Sequence, residues 1–106
     1  MSGVAGLVVR VGGASYFVPV ERVGFVTLVR EVRDGCLVMP RGVLPLVDPS
    51  ASGSPARGTA VAVRTGTDFV ALAVDAVELA DPEAAARAIP ISALEDVLAA
   101  GRLHRP

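Results

Sequence analysis

Short apolar runs, broken by glycine, proline and aspartate, set the rhythm of the chain, and their period is that of strands. Leu7-Val8-Val9-Arg10-Val11, the pair Gly12-Gly13 and Ser15-Tyr16-Phe17-Val18 predict strand, tight turn, strand. Pro19 ends the second strand or keeps it at an edge, because it has no N–H to give a ladder. Val20-Glu21-Arg22-Val23 is too short for an independent helix and predicts one helical turn leading into a third strand over 25–32. In that strand Val26 and Leu28 share one face, and Phe25, Thr27 and Val29 the other. Asp34-Gly35 is a turn pair. Cys36-Leu37-Val38-Met39, the turn Pro40-Arg41-Gly42 and Val43-Leu44-Pro45-Leu46-Val47 predict a second hairpin, closed by Asp48-Pro49. The small polar residues, Gly and Pro of 50–58 predict a flexible surface loop. A third hairpin follows: 59–64, a turn over 65–68, then 69–77 with Val70, Leu72 and Val74 on one face.

The pattern turns helical only near the end. Asp81-Pro82-Glu83 has the order of an N-cap, an N1 proline and an early acid. Ala88-Ile89-Pro90-Ile91 predicts a short extended piece. Ser92-Ala93-Leu94-Glu95 has capping-box spacing, and Gly101 suits the stop of a helix over 93–100 with Leu94, Val97 and Leu98 as its stripe. Residues 102–106 are expected to fray. The core Leu44-Pro45-Leu46 returns as Ile89-Pro90-Ile91, a faint internal repeat that hints at two related halves.

Composition narrows the class. The chain has 106 residues, 52% hydrophobic and 20% charged, enough for one domain over 1–106 with its own core. Val and Ala are its two commonest residues, and stiff valine favours strands. Disorder is excluded by this apolar balance. A disulfide framework is excluded by a single cysteine, and a membrane-spanning helix by the absence of a run of about 18 apolar residues. The ten basic residues are all Arg, spread singly along the chain against eleven acids, for a net charge of -1. That is no footprint for nucleic acid. The N-terminus lacks a signal-peptide pattern, so a cytoplasmic protein is expected.

Candidate chemistry is sparse. His104 is the only His, close to the end of the chain. Cys36 lies among apolar residues and is expected to be a buried, inert thiol. No metal-ligand cluster and no phosphate-cradling Gly-rich loop is present, so neither cofactor nor catalysis is expected. Asp48 and Asp75 sit in the most apolar settings. The simplest expectation is an Asx-turn for Asp48 and an inward carboxylate bonded to backbone for Asp75.

Four segments, in order and spacing, resemble the CheW-like domain, the adaptor module of bacterial chemotaxis arrays. Residues 7–20 resemble its opening hairpin, and 20–26 the turn and strand that follow. Residues 35–48 resemble its Gly-Val-Ile-Asn-Leu-Arg-Gly element with the Pro-apolar-apolar-Asp ending. Phe69 to Val77 resembles its Gly-Leu-Val-Val-Asp-x-Val strand. The resemblance covers roughly residues 5–80. It implies an all-β fold of two small SH3-like, five-stranded barrels packed together, one incomplete, with a short C-terminal helix and with the apolar groove between the barrels used for binding. It implies a noncatalytic adaptor that joins a chemoreceptor's signalling tip to a CheA-type histidine kinase, placed in the cytoplasm at receptor clusters.

The departures from the family point to a shortened member, similar to the CheW-like protein of Frz-type pathways. Between Val26 and Gly35 the chain is shorter than the family's kinase-docking stretch, so kinase docking is expected to be weakened or lost. An ungapped count from Pro45 puts Pro40 at the family arginine, whereas a one-residue deletion matches Arg41-Gly42 to its Arg-Gly. By position, Val23, Phe25, Arg41, Gly42 and Val43 are the candidate protein-binding residues. For Val23 core packing, and for Arg41 a solvated turn, are equal alternatives. Two other functions stay open. Missing strands would leave unpaired edges, favouring a strand-exchanged homodimer or edge pairing with another CheW-like domain. A small ligand-binding barrel or enzyme accessory subunit would need a polar-lined cavity.

Overall fold

The computed structural model describes residues 3–49 and 58–103. Strands dominate and form two sheets. The first strand, β1 (Gly6–Val11), turns at Gly12-Gly13 into β2 (Ala14–Pro19). Their antiparallel register runs from Gly6↔Pro19 to Val11↔Ala14, as the alternation of apolar residues requires. A single 3-10 turn, Val20–Arg22, leads to β3 (Val23–Leu28). The short β4 (Val32–Arg33) then turns at Asp34-Gly35 into β5 (Cys36–Met39), which is hairpinned to β6 (Gly42–Val47). The third hairpin is β7 (Thr59–Thr65) and β8 (Asp68–Val74). After β8 come β9 (Ala76–Ala80), α1 (Pro82–Arg87), β10 (Ile89–Pro90), a 3-10 turn Ile91–Leu94, and α2 (Glu95–Leu103). The loop expected over 50–58 lies outside the described residues except for Gly58, and 104–106 of the expected frayed tail lie outside them too.

The four-stranded sheet has the order β10-β2-β1-β9, and the six-stranded sheet β3-β7-β8-β6-β5-β4. The outermost strands of the larger sheet, β3 and β4, are consecutive and joined by Val29, Arg30 and Glu31 alone. Such a link reaches at most about 14 Å, whereas six flat strands would hold the outer two about 24 Å apart. The larger sheet must therefore curl until its ends approach.

Curling explains the first difference from the sequence reading. The strand expected over 25–32 is two strands, β3 and β4. Val29 follows the end of β3, still donates its N–H to Gly58 O at 3.0 Å, and buries its side chain. A straight continuation through Val32 would have kept the sheet open.

Two cores result. The main one lies between the sheets and under α2. Leu7, Val9 and Val18 come from the smaller sheet, Val61, Val63, Val70 and Leu72 from the larger, and Leu94 and Leu98 from the C-terminal elements. The second lies on the opposite face of the larger sheet, where Val29, Leu37, Ala60 and Ala71 are buried with Met39, Leu44 and Leu46 packed against them. Alanines at 60 and 71 leave room for the curl, so the alternation of small and large residues along β7 is spatial: small toward the inner core, valine toward the main one.

β8 and β9 are nearly one strand, bent at Asp75, which passes the chain from one sheet to the other. Asp75 N–H donates to Arg10 O at 2.7 Å, and its Oδ2 accepts from Gly12 N–H at 3.1 Å. The carboxylate is bonded to backbone as expected but is exposed, not inward. It fastens the first turn from outside.

The C-terminal helix also departs from expectation. It begins at Glu95 and runs through Gly101 to Leu103. Gly101 is no stop, because a Cβ there would lie 2.2 Å from Val47 Cγ2: the residue lets α2 press onto β6. Glu95 closes no capping box. Its carboxylate instead faces Arg22, with Oε1 2.9 Å from NH1. The Asp81 cap is as read: Oδ1 accepts from Ala84 N–H at 2.8 Å, with proline in the first turn of α1.

A candidate docking groove

Four of the five sequence-predicted residues meet in one place. Phe25 and Thr27 of β3, together with the run 39–44 of the β5–β6 hairpin, line an open groove of about 630 Å³. The curl of the larger sheet builds it, by bringing β3 opposite the tip of that hairpin. Strand alternation then aims Phe25 and Thr27 at Met39 and Leu44, whose inner ends pack on the second core. The groove floor is thus continuous with buried structure, while Phe25 and Val43 remain 43% and 48% exposed.

The hairpin tip sets the rim. Met39 pairs with Gly42, leaving Pro40 and Arg41 as a two-residue loop. Gly42 has φ 154°, an angle that side-chain-bearing residues rarely adopt, so glycine is what permits this tight return. Arg41 is exposed and has no hydrogen-bond or ion-pair partner among the described residues. Among the described residues that line the groove, Thr27 and Arg41 are the only ones whose side chains carry nitrogen or oxygen. An apolar trough with a lone guanidinium at its lip suits a partner with apolar anchors and a nearby carboxylate.

Val23 does not line the groove. It opens β3, pairs with Val63 and packs half-buried against the main core. Met39, Pro40 and Leu44 line it without having been singled out from sequence. The signal was there in the period of two, which puts Met39 and Leu44 on the face of Leu37.

A second polar cluster is structural in form. Arg22 Nε and NH2 donate to Arg64 O at 3.0 and 2.7 Å, while the same guanidinium meets Glu95. One side chain therefore ties the 3-10 turn to β7 and α2. Arg64 in turn lies over the Phe69 ring, 5.5 Å from its centroid. Cys36 is 1% exposed. Among the described residues no group of three or more His, Cys, Asp or Glu is placed to hold a metal, and no helix is long and apolar enough to cross a membrane.

No protein-family model matches the chain, and a search of curated proteins finds no match either.

Proposed function

We propose that this chain is a noncatalytic, CheW-like adaptor that docks a chemoreceptor's helical signalling tip in the groove between β3 and the β5–β6 hairpin. One observation carries the reading. Phe25, Arg41, Gly42 and Val43, singled out by resemblance alone, lie in a single apolar groove with an exposed cation at its rim. Helix-in-groove recognition uses an apolar groove for the helix's apolar face, and the guanidinium at the rim would set the helix's orientation. On this reading the curled six-stranded sheet is one of the family's two barrels, and the docking groove lies within it instead of between the barrels. The four-stranded sheet is the other, lacking a strand. Kinase coupling is weak, because the stretch between β3 and β5, where the family docks its CheA-type kinase, is cut to the three-residue link, β4 and the Asp34-Gly35 turn. The site of action is the cytoplasmic receptor cluster.

The test is a titration of the full chain with a purified receptor-tip helical hairpin and, separately, with the kinase regulatory domain. The receptor fragment binds and the kinase domain binds more weakly. Phe25→Asp and Arg41→Glu each reduce receptor affinity about tenfold, roughly 1.4 kcal/mol. Firm kinase binding with no binding of any receptor fragment would sink the reading.

A further inference from the structure

The two sheets leave four outer edges, and they are not equivalent. β4 and β10 are two residues long, and the pairing of β3 with β7 shifts register between Val23 and Val26. β9 is different. Its five residues pair without a bulge against β1, from Gly6↔Ala80 to Arg10↔Ala76, so its outer backbone edge is regular along its whole length. No proline, lysine or bulge blunts it.

Its side chains say what would cover it. Leu79 lies directly opposite Leu7, on the sheet face that turns to the main core. Leu7 is 8% exposed and Leu79 is 74% exposed. The core therefore ends between two neighbouring leucines for want of one more strand. On the other face Glu78 is exposed and has no hydrogen-bond or ion-pair partner among the described residues. A second copy is a poor occupant. Antiparallel pairing about Glu78 would set Val77 against Leu79, which is favourable, but would place two Glu78 carboxylates directly opposite each other, which is not.

We propose that the outer edge of β9 is a strand-addition site for an extended partner segment in which apolar residues flank a basic one. The apolar residues of the added strand extend the core over Val77 and Leu79, and the basic residue between them meets Glu78. The site lies on the smaller sheet, away from the β3 groove, and is independent of the receptor reading.

Nine-residue peptides alternating valine with arginine, or valine with glutamate, test it by titration against the full chain, with amide exchange followed residue by residue. The valine–arginine peptide slows exchange in 76–80 and binds about two- to fivefold tighter than the valine–glutamate peptide, the range of a cross-strand charge pair. Glu78→Arg inverts that preference, and Asp96→Arg, the same charge change on α2, leaves it. Leu79→Asp weakens both peptides. The amides of Val9 and Val18 report in the same spectra that each variant is folded. Protection at β3 instead of β9, or a preference that Glu78→Arg leaves unchanged, overturns the proposal. Concentration-dependent protection of β9 without peptide also overturns it, making a second copy the occupant.

Discussion

Gly101 shows how one methyl group can decide between two energies of opposite sign. Alanine in the interior of α2 would gain about 1 kcal/mol of helix propensity over glycine. The same methyl would sit 2.2 Å from Val47 Cγ2 and 3.2 Å from Val70 Cγ1, and overpacking a core costs about 1–3 kcal/mol. The contact is too short for a small adjustment to relieve, so packing wins. Gly101→Ala is expected to lower the urea midpoint by the equivalent of up to about 2 kcal/mol with an unchanged slope. A raised midpoint would mean that α2 can lift off β6 freely. The same residue marks what a sequence can reveal at this scale. Asp81 was legible as a cap because its partner, the Ala84 N–H, is three residues away. Gly101 read as a stop because its reason for being glycine is a valine on a distant strand.

Elements were legible where they are local hairpins. All three expected hairpins fall where alternation and turn residues put them, because register follows from turn and period together. The groove was half legible for the same reason: Met39 and Leu44 share a face through hairpin register, but the approach of β3 to that hairpin is a long-range consequence of curling. Parallel pairings were not legible. The repeated apolar-Pro-apolar segments both became parallel partners of a hairpin's second strand, β6 beside β8 and β10 beside β2. Nothing local in either segment names its neighbour. Attachment of α2 is the energetic question at this scale. Arg22 serves two elements and Glu95 one. Arg22→Ala should therefore cost about 1–3 kcal/mol, since it also removes two charge-assisted hydrogen bonds to the Arg64 carbonyl. Glu95→Ala should cost less, because its carboxylate is nearly half exposed and screened. A double-mutant cycle in urea measures both. Equal losses would mean that the ion pair alone holds the helix.

At the scale of the molecule, the two sheets repeat one four-strand plan. β9-β1-β2-β10 and β3-β7-β8-β6 each comprise an antiparallel flank, a hairpin, and a parallel proline strand. They share the main core and the bent strand through Asp75, so neither can be lost alone. Thermal unfolding is expected as one transition, with exchange of Val9 and Leu72 amides governed by the same global opening. Two separated transitions would contradict a shared core.

The order of the strands along the chain has a kinetic meaning. Every strand of the larger sheet lies between β2 and β9, so the smaller sheet is split around it. Joining β1 to β9 first would close a disordered loop from Arg10 to Ala76, at an entropic cost of roughly 4 kcal/mol before any contact repays it. Once the larger sheet has curled, β8 already delivers β9 beside β1, and most of that cost is gone. The inner sheet thus acts as the template on which the outer one is assembled. Slowing β7–β8 pairing would delay both sheets, whereas damage to β10 would leave the early steps untouched.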